Sequence, residues 1–558
     1  MKYLDFKVSD CKDCFKCLRE CPVKAISYEN HQANIIESRC ILCGKCTLVC
    51  PQNAKKVHSE KDFVLQLLAN KEEKIVASVA PSFISSFDVE GFEEFADALR
   101  QIGFDYVEET IIGAKLVTKE YAKILKTGEY KNLISSACPA INRMIQIYYP
   151  EALKYLAPVV SPMIAHAKTI KSRYPQAKIV FIGPCIAKKR EASESGIIDG
   201  VLTFEELEDI FKEKNISFNK YECDSNIVEK SRNYPITRGI IKSFESYPEG
   251  YEYVTVDGIS RCFDVFKDIN KLSGQFIEAS CCEYSCINGP CAISRDGGVL
   301  KANENVRKYA KSGNITDVTC SDYDNLDLHN EYQQIYLNEN KVSEEQIAEI
   351  LQKMGKNTKE DELNCGSCGY LTCREKAEAV ARGYAEIDMC LPYMRTRAES
   401  MSYEIIHNSP FGIVVMDSDY KIIDINREAK KLLNINSSKV TNRLASDFFD
   451  ISDFVLAEND NKNLVKKIIA DKDNNKYVEV TLVLPDDKRI KFGIYKDISD
   501  EVIKNKKIYE LKSETFKTTD EVIKKQMRVA QEIASLLGET TAETKLALLN
   551  LKKTLDDK

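Results

Sequence analysis

The chain has 558 residues, with 79 basic, 86 acidic and 21 cysteine residues, five histidines and no tryptophan. Its net charge of -7 is spread along the sequence, which argues against nucleic acid as a partner because phosphate binding requires a concentrated basic face. The length predicts several domains, since a single domain usually has about 100–200 residues.

The first residues do not show a basic segment followed by an apolar one, and no apolar run is long enough to cross a membrane. We therefore expect a cytoplasmic protein that does not use a membrane. In a reducing compartment, 21 cysteines indicate metal ligands rather than disulfides.

Residues 1–58 contain the same cysteine pattern twice. Residues 11–22 and 40–51 both read C-x2-C-x2-C-x3-C-P, which is the spacing of bacterial ferredoxins, and the fourth cysteine of each motif then binds the other cluster. A zinc module is the alternative, but it would group its cysteines in pairs. We expect a 2x(4Fe-4S) ferredoxin-type domain that transfers electrons. The predicted ligands of its two clusters are Cys11, Cys14, Cys17 and Cys50, and Cys40, Cys43, Cys46 and Cys21.

Residues 70–352 alternate short apolar runs with amphipathic stretches, which predicts an α/β fold with parallel strands. In such a fold, ligands bind at the loops beyond the carboxyl ends of the strands, and Cys138 and Cys185 fall in loops of this kind. The clearest predicted elements are strands at 74–82 and 178–185 and helices at 92–104 and 204–215.

Four cysteines crowd the stretch EASCCEYSCINGPC, residues 278–291. Cys282 and Cys286, together with Cys138 and Cys185, can supply four thiolates to one buried iron-sulphur centre. The lone cysteines of the chain receive no assignment, because a small buried hydrophobic residue is the ordinary role of such a cysteine. They are Cys223, Cys262 and Cys320.

Three segments carry a resemblance to the iron-only, or FeFe, hydrogenases: SACP (136–139), GPCIAK (183–188) and E-x3-C-x3-C-x-N-G (278–289). The flanking segments APSF, YYPEAL and SPM agree with that family as well. The resemblance implies an H-cluster, which is a 4Fe-4S cubane joined to a diiron unit that maturation enzymes insert. Its implied ligands are Cys138, Cys185, Cys282 and Cys286, with Cys286 bridging the two parts.

The same resemblance implies a role for Lys188, which matches the family lysine that donates a hydrogen bond to a cyanide of the diiron unit. A solvated surface lysine is the alternative. We therefore name Lys188 and Cys286 as the catalytic candidates.

Several positions depart from the fast hydrogenases. Their proton-relaying cysteine before the first ligand is Ala137 here, and a methyl group cannot relay a proton. Cys281 and Cys291 are extra thiols near the third ligand segment, and each could donate protons or be purely structural. Two family methionines and a pair of family glycines are also replaced, by Gly183 and Ser280 and by Tyr284 and Ser285.

Residues 353–396 contain a third iron-sulphur motif, C-x2-C-x4-C-x16-C. It resembles the small 4Fe-4S domain of corrinoid and acetyl-CoA enzymes, and zinc is the alternative metal. A helix predicted at 374–387 would return the last cysteine to the others, and the cluster would act as an exit for electrons or as a redox sensor. The predicted ligands are Cys365, Cys368, Cys373 and Cys390.

Residues 401–500 resemble a PAS domain, with strands and a helix within 408–434 and closing strands within 477–499 around a turn at 485–487. No histidine or cysteine marks a haem or flavin site there, so the domain either senses an unidentified ligand or only dimerises. The tail, 501–558, is predicted as two helices separated by Gly538, with a cap at Thr540 or Thr541. The apolar stripe of its first helix either packs against its own domain or forms a surface for dimerisation or partner binding.

The order of these parts resembles the sensory FeFe hydrogenases. The predicted function is sensing of H2 or redox state, with slow reversible H2 oxidation and signalling through the PAS domain. The alternatives are a catalytic hydrogenase linked to ferredoxin, and a 4Fe-4S electron-transfer protein that is not a hydrogenase. Expected partners are H2, a ferredoxin or similar electron carrier, a kinase or phosphatase, and a second copy of the chain.

Overall fold

The computed structural model of the protein describes residues 3–6, 10–30, 32–70, 72–220, 228–311, 323, 325–339, 341–437, 439–460, 462–471, 476–485 and 489–556. Cys223, Cys320 and most of the predicted turn at 485–487 lie outside these residues. The chain forms two compact units, Met1–Met394 and Arg395–Lys558.

The first unit begins with two small antiparallel sheets, β1 with β4 and β2 with β3. Each of its two short helices contains the third cysteine of one motif, so the helices hold Cys17 and Cys46 at equivalent places. The elements are β1 (Leu4–Phe6), α1 (Lys16–Glu20), β2 (Ile26–Glu29), β3 (Gln32–Ile35), α2 (Lys45–Leu48) and β4 (Lys55–Val57).

The body of the first unit alternates strands and helices. Its elements are α3 (Lys61–Ala69), β5 (Ile75–Val79), α4 (Phe83–Ser86), α5 (Phe92–Ile102), β6 (Tyr106–Glu109), α6 (Ile111–Thr127), β7 (Asn132–Ile134), α7 (Pro139–Tyr148), α8 (Pro162–Arg173), β8 (Lys178–Gly183), α9 (Ala187–Ser195), β9 (Gly200–Thr203), α10 (Phe204–Glu213), α11 (Gly239–Lys242), β10 (Glu252–Asp257), α12 (Ile259–Lys267), β11 (Gln275–Ser280) and α13 (Gly298–Tyr309).

Two parallel sheets form the centre of this body, in the orders β6-β5-β8-β9 and β10-β11-β7. Strand β5 is buried at every position, as expected of a strand that is covered on both faces. The predicted α/β fold is confirmed, and so are the two strands and two helices predicted most clearly, each with slightly earlier ends.

The cysteine loops lie where the parallel topology places them. Cys138 follows β7, Cys185 follows β8, and Cys282 and Cys286 follow β11. Since β7 and β11 are hydrogen-bonded neighbours in parallel register, their carboxyl ends lie side by side. Three segments distant in sequence therefore reach one region.

The first unit ends with α14 (Glu344–Lys353), α15 (Cys373–Ala381) and the beginning of α16 (Leu391–His407). Helix α15 is shorter than the predicted 374–387 because the amide of Tyr384 donates to the carbonyl of Ala379 (2.8 Å) and that of Gly383 to Val380 (3.0 Å), which closes the helix. A short 3-10 turn, Ile387–Met389, then leads to Cys390.

The second unit contains one five-stranded antiparallel sheet in the order β13-β12-β16-β15-β14. The predicted helix near Asn426 is confirmed, since the side chain of Asn426 accepts a hydrogen bond from the amide of Ala429 and caps α17. The elements are β12 (Gly412–Asp417), β13 (Ile422–Ile425), α17 (Arg427–Leu432), α18 (Ser452–Asn459), β14 (Leu464–Asp471), β15 (Lys476–Val483) and β16 (Ile490–Asp497).

The last helix, α19 (Ser499–Asp556), is continuous, so the prediction of two helices separated by Gly538 was wrong. A single glycine costs a helix about 1 kcal/mol relative to alanine, which is too little to end a helix of this length. The hydroxyl of Thr540 donates to the carbonyl of Leu536 (2.9 Å) instead of capping a new helix. Across the described residues, the structure contains no helix that is long and apolar enough to span a membrane.

The loop after β11 contains backbone strain at the two positions where the family has glycines. Tyr284 and Ser285 both have φ of 62°. The left-handed region costs a residue with a side chain about 1–2 kcal/mol. Tyr284 is half exposed, so replacing it removes little packing.

We expect Tyr284→Gly to raise the free energy of unfolding by about 0.5–1 kcal/mol, because relief of the left-handed strain exceeds the entropic cost of glycine. Urea unfolding of the full-length protein measures this change. Glu283→Gly is the matched control, because Glu283 is the exposed neighbour of Tyr284 and itself has an ordinary φ. Replacing it with glycine should therefore destabilise the protein. Equal losses in both variants would contradict the strain assignment.

Candidate functional site

A cavity of about 130 Å³ lies at the carboxyl ends of β7, β8 and β11. The thiols of Cys138, Cys185, Cys282 and Cys286 all line it. Cys286 retains accessible surface although protein surrounds it, because it faces the cavity rather than bulk water. The structure thus brings together the four residues that the sequence predicted as one ligand set.

Burial controls the acidity of these thiols. It raises the pKa of Cys185 to about 11 and that of Cys286 to about 12, and it also raises the pKa of Cys282. The neighbouring thiols of the set add to each shift through charge repulsion. Without a metal, these three thiols are therefore protonated, and a cluster must displace their protons when it binds.

Lys188 is buried at the wall of this cavity, so the alternative of a solvated surface lysine is excluded. Its ammonium donates to the carboxylate of Glu191 (2.7 Å) and to the hydroxyl of Ser161 (2.9 Å). The sequence analysis did not single out Glu191. Its position three residues after Lys188 on α9 was the available signal, because residues at this spacing share a helix face.

Ser82 provides a hydrogen-bond donor that the protein does not use. Its hydroxyl oxygen is buried, lies among the residues that line the cavity, and has no partner within the described part of the chain. A buried polar group normally has a hydrogen-bond partner. A bound group with an acceptor atom would satisfy it, and the thiols, the Lys188 ammonium and this hydroxyl together suit an anionic metal cluster.

Three of the positions that depart from the fast hydrogenases, Ala137, Ser280 and Ser285, lie at the cavity. Ala137 and Ser280 line its wall, and the hydroxyl of Ser280 is 3.1 Å from that of Ser285. A side chain at position 183 would meet the ring of Phe181 at 2.8 Å. Glycine is therefore required at 183 because Phe181, which sequence reasoning missed, already fills that space.

Glu278 is an ionisable group on the same wall that sequence reasoning did not assign. Burial raises the pKa of its carboxyl group to about 7, and the amide of Ile241 donates to it (2.9 Å). The cavity therefore has a carboxyl group that can exchange a proton near neutral pH.

The two extra thiols have different surroundings. Cys281 lines the cavity and hydrogen-bonds the thiol of Cys43 in the ferredoxin-like part, which lowers the pKa of Cys43. Cys291 is completely buried, and its thiol hydrogen-bonds the carboxylate of Glu205. Cys291 thus has a packing contact of its own, whereas Cys281 links two candidate metal sites.

The ferredoxin-like thiols form two groups. Cys21 lies within electrostatic range of Cys40 and Cys43, and Cys46 lies within range of all three. Cys17 lies within range of Cys14 and Cys50, while Cys11 is 4.0 Å from the carboxylate of Asp13. The buried ammonium of Lys55 donates to Cys17 (3.4 Å) and reaches Cys46 electrostatically, so one cation serves both groups.

The third motif also surrounds one small cavity. Its wall includes all four predicted thiols and the buried side chain of Lys376. Burial lowers the pKa of the Lys376 ammonium to about 8. In the part of the chain that the structure describes, no three His, Cys, Asp or Glu side chains converge tightly enough on one point to hold a single metal ion. The thiols line cavities instead.

Four family profiles match the chain. Residues 73–290 match the iron only hydrogenase large subunit, C-terminal domain, and residues 10–54 match the 4Fe-4S dicluster domain. Residues 361–392 match an Fe-S cluster family, and residues 401–495 match the PAS fold. Each matched range contains the motif from which that part was predicted.

The chain is also similar, at low identity, to individual proteins. Iron hydrogenase 1 of Clostridium pasteurianum is 27% identical over 43% of this chain and 53% of its own length. The cytosolic Fe-S cluster assembly factor NAR1 of Yarrowia lipolytica is 26% identical over 37% of this chain and 48% of its own length. The chain thus spans about half the length of these relatives. A solved variant of [FeFe]-hydrogenase HydA1 from Chlamydomonas reinhardtii is 15% identical, covers 50% of this chain and all of its own, and has a TM-score of 0.40.

The hydrogenase match contains the cavity with its thiols, and iron-sulphur matches precede and follow it. The chain therefore joins a region that matches the iron only hydrogenase large subunit, C-terminal domain, to a 4Fe-4S dicluster domain, a further Fe-S domain and a PAS domain.

Proposed function

We propose that this protein is a sensory FeFe hydrogenase. It binds an H-cluster through Cys138, Cys185, Cys282 and Cys286, and three further 4Fe-4S clusters through the other cysteine motifs. The observation that carries the proposal is one cavity in which four thiols meet a buried ammonium, while Ala137 stands where a proton-relaying thiol would be. A PAS domain on the same chain supports a sensory role.

The H-cluster supplies the reversible conversion of H2 into two protons and two electrons. The residues of this chain bind and orient it: the four thiolates hold it, the ammonium of Lys188 offsets its negative charge, and the hydroxyl of Ser82 donates to it. The methyl group of Ala137 cannot relay a proton at the position where the fast hydrogenases have a cysteine. Turnover is therefore slow, and the oxidation state of the centre persists long enough to act as a signal.

The remaining parts connect this signal to the cell. The ferredoxin-type clusters exchange electrons with a ferredoxin or similar soluble carrier. The PAS domain and α19 transmit the state of the iron-sulphur sites to a kinase or phosphatase, and α19 dimerises the chain. Large apolar side chains that α19 leaves exposed, including Leu511, Phe516 and Met527, supply the contact surface.

A second candidate function is an iron-sulphur protein that does not act on H2. The similarity to the Fe-S cluster assembly factor NAR1 favours it. In this function, the cavity thiols hold a 4Fe-4S cluster without the diiron unit.

Protein matured with the diiron unit should show infrared bands of CO and cyanide ligands and should oxidise H2 slowly. Infrared spectroscopy with an H2 oxidation assay tests both parts. The absence of the bands despite full iron loading would support the second candidate function. Turnover as fast as that of catalytic hydrogenases would contradict the sensory function and leave the H-cluster assignment intact.

Ala137→Cys should increase H2 oxidation at least tenfold, because the new thiol restores a proton donor beside the centre. Ala137→Ser is the size-matched control, and it should raise activity less since a hydroxyl is a much weaker acid. The infrared bands must persist in both variants. An unchanged low rate with intact bands would show that proton delivery at this position does not limit turnover.

Lys188→Met should reduce the intensity of the CO and cyanide bands severalfold, because it removes the buried cation that offsets the charge of the centre. Lys188→Arg, which retains the charge, should keep more of the bands. Glu191→Gln removes the lysine's partner but keeps the ammonium, so it should affect the bands less than Lys188→Met. Wild-type band intensity in Lys188→Met would refute the assigned role of this lysine.

A further inference from the structure

The domain with Cys365, Cys368, Cys373 and Cys390 packs directly against the ferredoxin-type domain, within the first compact unit. The amide of Tyr28 donates to the carbonyl of Tyr384 (2.9 Å), and the amide of Asn30 donates to the carboxylate of Glu386 (2.8 Å). The buried residues Leu18, Cys21, Tyr370 and Met389 belong to one hydrophobic core. The two domains therefore share an interior.

The closest approach is between the third motif's cysteine loop and helix α1. A side chain at Gly369 would lie 2.2 Å from Leu18 and 3.2 Å from the backbone of Arg19, so only glycine fits there. The guanidinium of Arg19 donates to the carbonyl of Ser367 (3.2 Å). The residues on both sides of Cys368 thus contact α1, whose end leads to Cys21.

Lys24 lies in this junction. Its ammonium donates to the carbonyls of Leu18 (3.2 Å) and Arg19 (3.1 Å), near the end of α1, and to the carbonyl of Gly369 (2.7 Å) on the opposite domain. The thiols of Cys21 and Cys368 both lie within electrostatic range of this ammonium. One half-buried cation therefore stands between two candidate cluster sites.

Tyr370 occupies the same junction. Its ring is buried, and both Cys368 and Cys21 lie within electrostatic range of its hydroxyl group. The group of Cys21, Cys40, Cys43 and Cys46 thus adjoins the third motif on this side. Elsewhere, Cys43 is hydrogen-bonded by Cys281 on the wall of the hydrogenase cavity. The group that contains Cys21 and Cys43 therefore has the third-motif site on one side and the hydrogenase cavity on another.

We propose that Lys24 couples the site of the third motif to the ferredoxin-type site that contains Cys21, and that the latter site is the branch point between the hydrogenase cavity and the third motif. This inference rests on the ligand assignments of the proposed function. One electron leaves the reduced cluster at one site and reduces the oxidised cluster at the other, with no proton transferred. H2 or a soluble one-electron carrier supplies the electrons.

This coupling through Lys24 changes the expected order of electron transfer. In chain order the third motif follows the hydrogenase-like part, and the sequence predicted that its cluster acts as an exit for electrons or as a redox sensor. The contacts instead connect the third motif to the ferredoxin-type domain, so electrons from the hydrogenase cavity reach it through the site that contains Cys21. The third cluster therefore reports the balance between H2 and the soluble carrier rather than H2 alone.

The test uses the full-length protein with all clusters assembled anaerobically and reduced in steps with dithionite. Iron analysis counts the clusters, and electron paramagnetic resonance measures their midpoint potentials and spin coupling. Cys365→Ala identifies the signal of the third cluster by its loss. We expect that signal to be broadened when the neighbouring ferredoxin-type cluster is also reduced.

Lys24→Gln should lower the midpoint potentials of both adjacent clusters, because the cation that stabilises an added electron is removed. Lys24→Arg should leave them close to the wild type. Lys56→Gln is the charge-matched control, because Lys56 is the exposed residue of β4, and it should not shift the potential of the third cluster. If Lys24 only packed the two domains together, its substitution would change the stability of the protein. The midpoint potentials would then not depend on the charge of the residue at position 24.

Two results would overturn the inference, and they are distinguishable. Full iron loading without spin coupling, together with unchanged potentials in Lys24→Gln, would refute the coupling while preserving the ligand assignments. A deficit of four irons per chain, with no signal lost in Cys365→Ala, would refute the assignment of the third cluster itself.

Discussion

The structure depends on keeping many thiols together in a buried region with compensating positive charge. A buried thiolate cluster is anionic, and an uncompensated charge in a protein interior is expensive. Each candidate site has an ammonium beside it. Lys188 adjoins the hydrogenase cavity, Lys55 adjoins both ferredoxin-type groups, Lys24 lies between Cys21 and Cys368, and Lys376 adjoins the third motif. Lys188, Lys55 and Lys376 each lie a few residues after a cysteine of their own site, whereas Lys24 reaches the third motif only when the two domains pack together.

The parallel sheets explain how the hydrogenase cavity can form from distant segments. Cys138, Cys185 and the pair Cys282 and Cys286 each follow the carboxyl end of a parallel strand, where loops of this fold class meet. The strands fix the positions of the loops, and the loops contain the cysteines that are the candidate ligands. Changes in the loops can therefore alter the wall of the cavity while the ligand set persists. Ala137 and the Ser280–Ser285 pair are changes of this kind.

The ferredoxin-type domain is in contact with two other parts of the first compact unit. The ferredoxin-type domain contacts the hydrogenase body through Cys43 and Cys281, and it contacts the third motif through Lys24. The second compact unit, with its PAS domain, begins directly after the third motif in the chain. The part that precedes the PAS domain in sequence is thus the one that packs against the ferredoxin-type domain.

The sequence by itself determined the ligand candidates, the α/β class and the succession of domains, because thiol spacing and strand periodicity are local properties. It also determined that Ala137 lacks a relay thiol. Only the tertiary structure showed that Lys188 is buried with Glu191 and that Phe181 explains Gly183, since packing decides burial and side-chain direction. It alone also showed that Cys281 and Cys291 have different partners, since these contacts join distant segments. The continuous helix through Gly538 was missed because a local breaker signal is weak against the rest of a long helix. The position of the third motif on the ferredoxin-type domain could not be read from chain order, because packing between domains follows shape and charge rather than sequence distance.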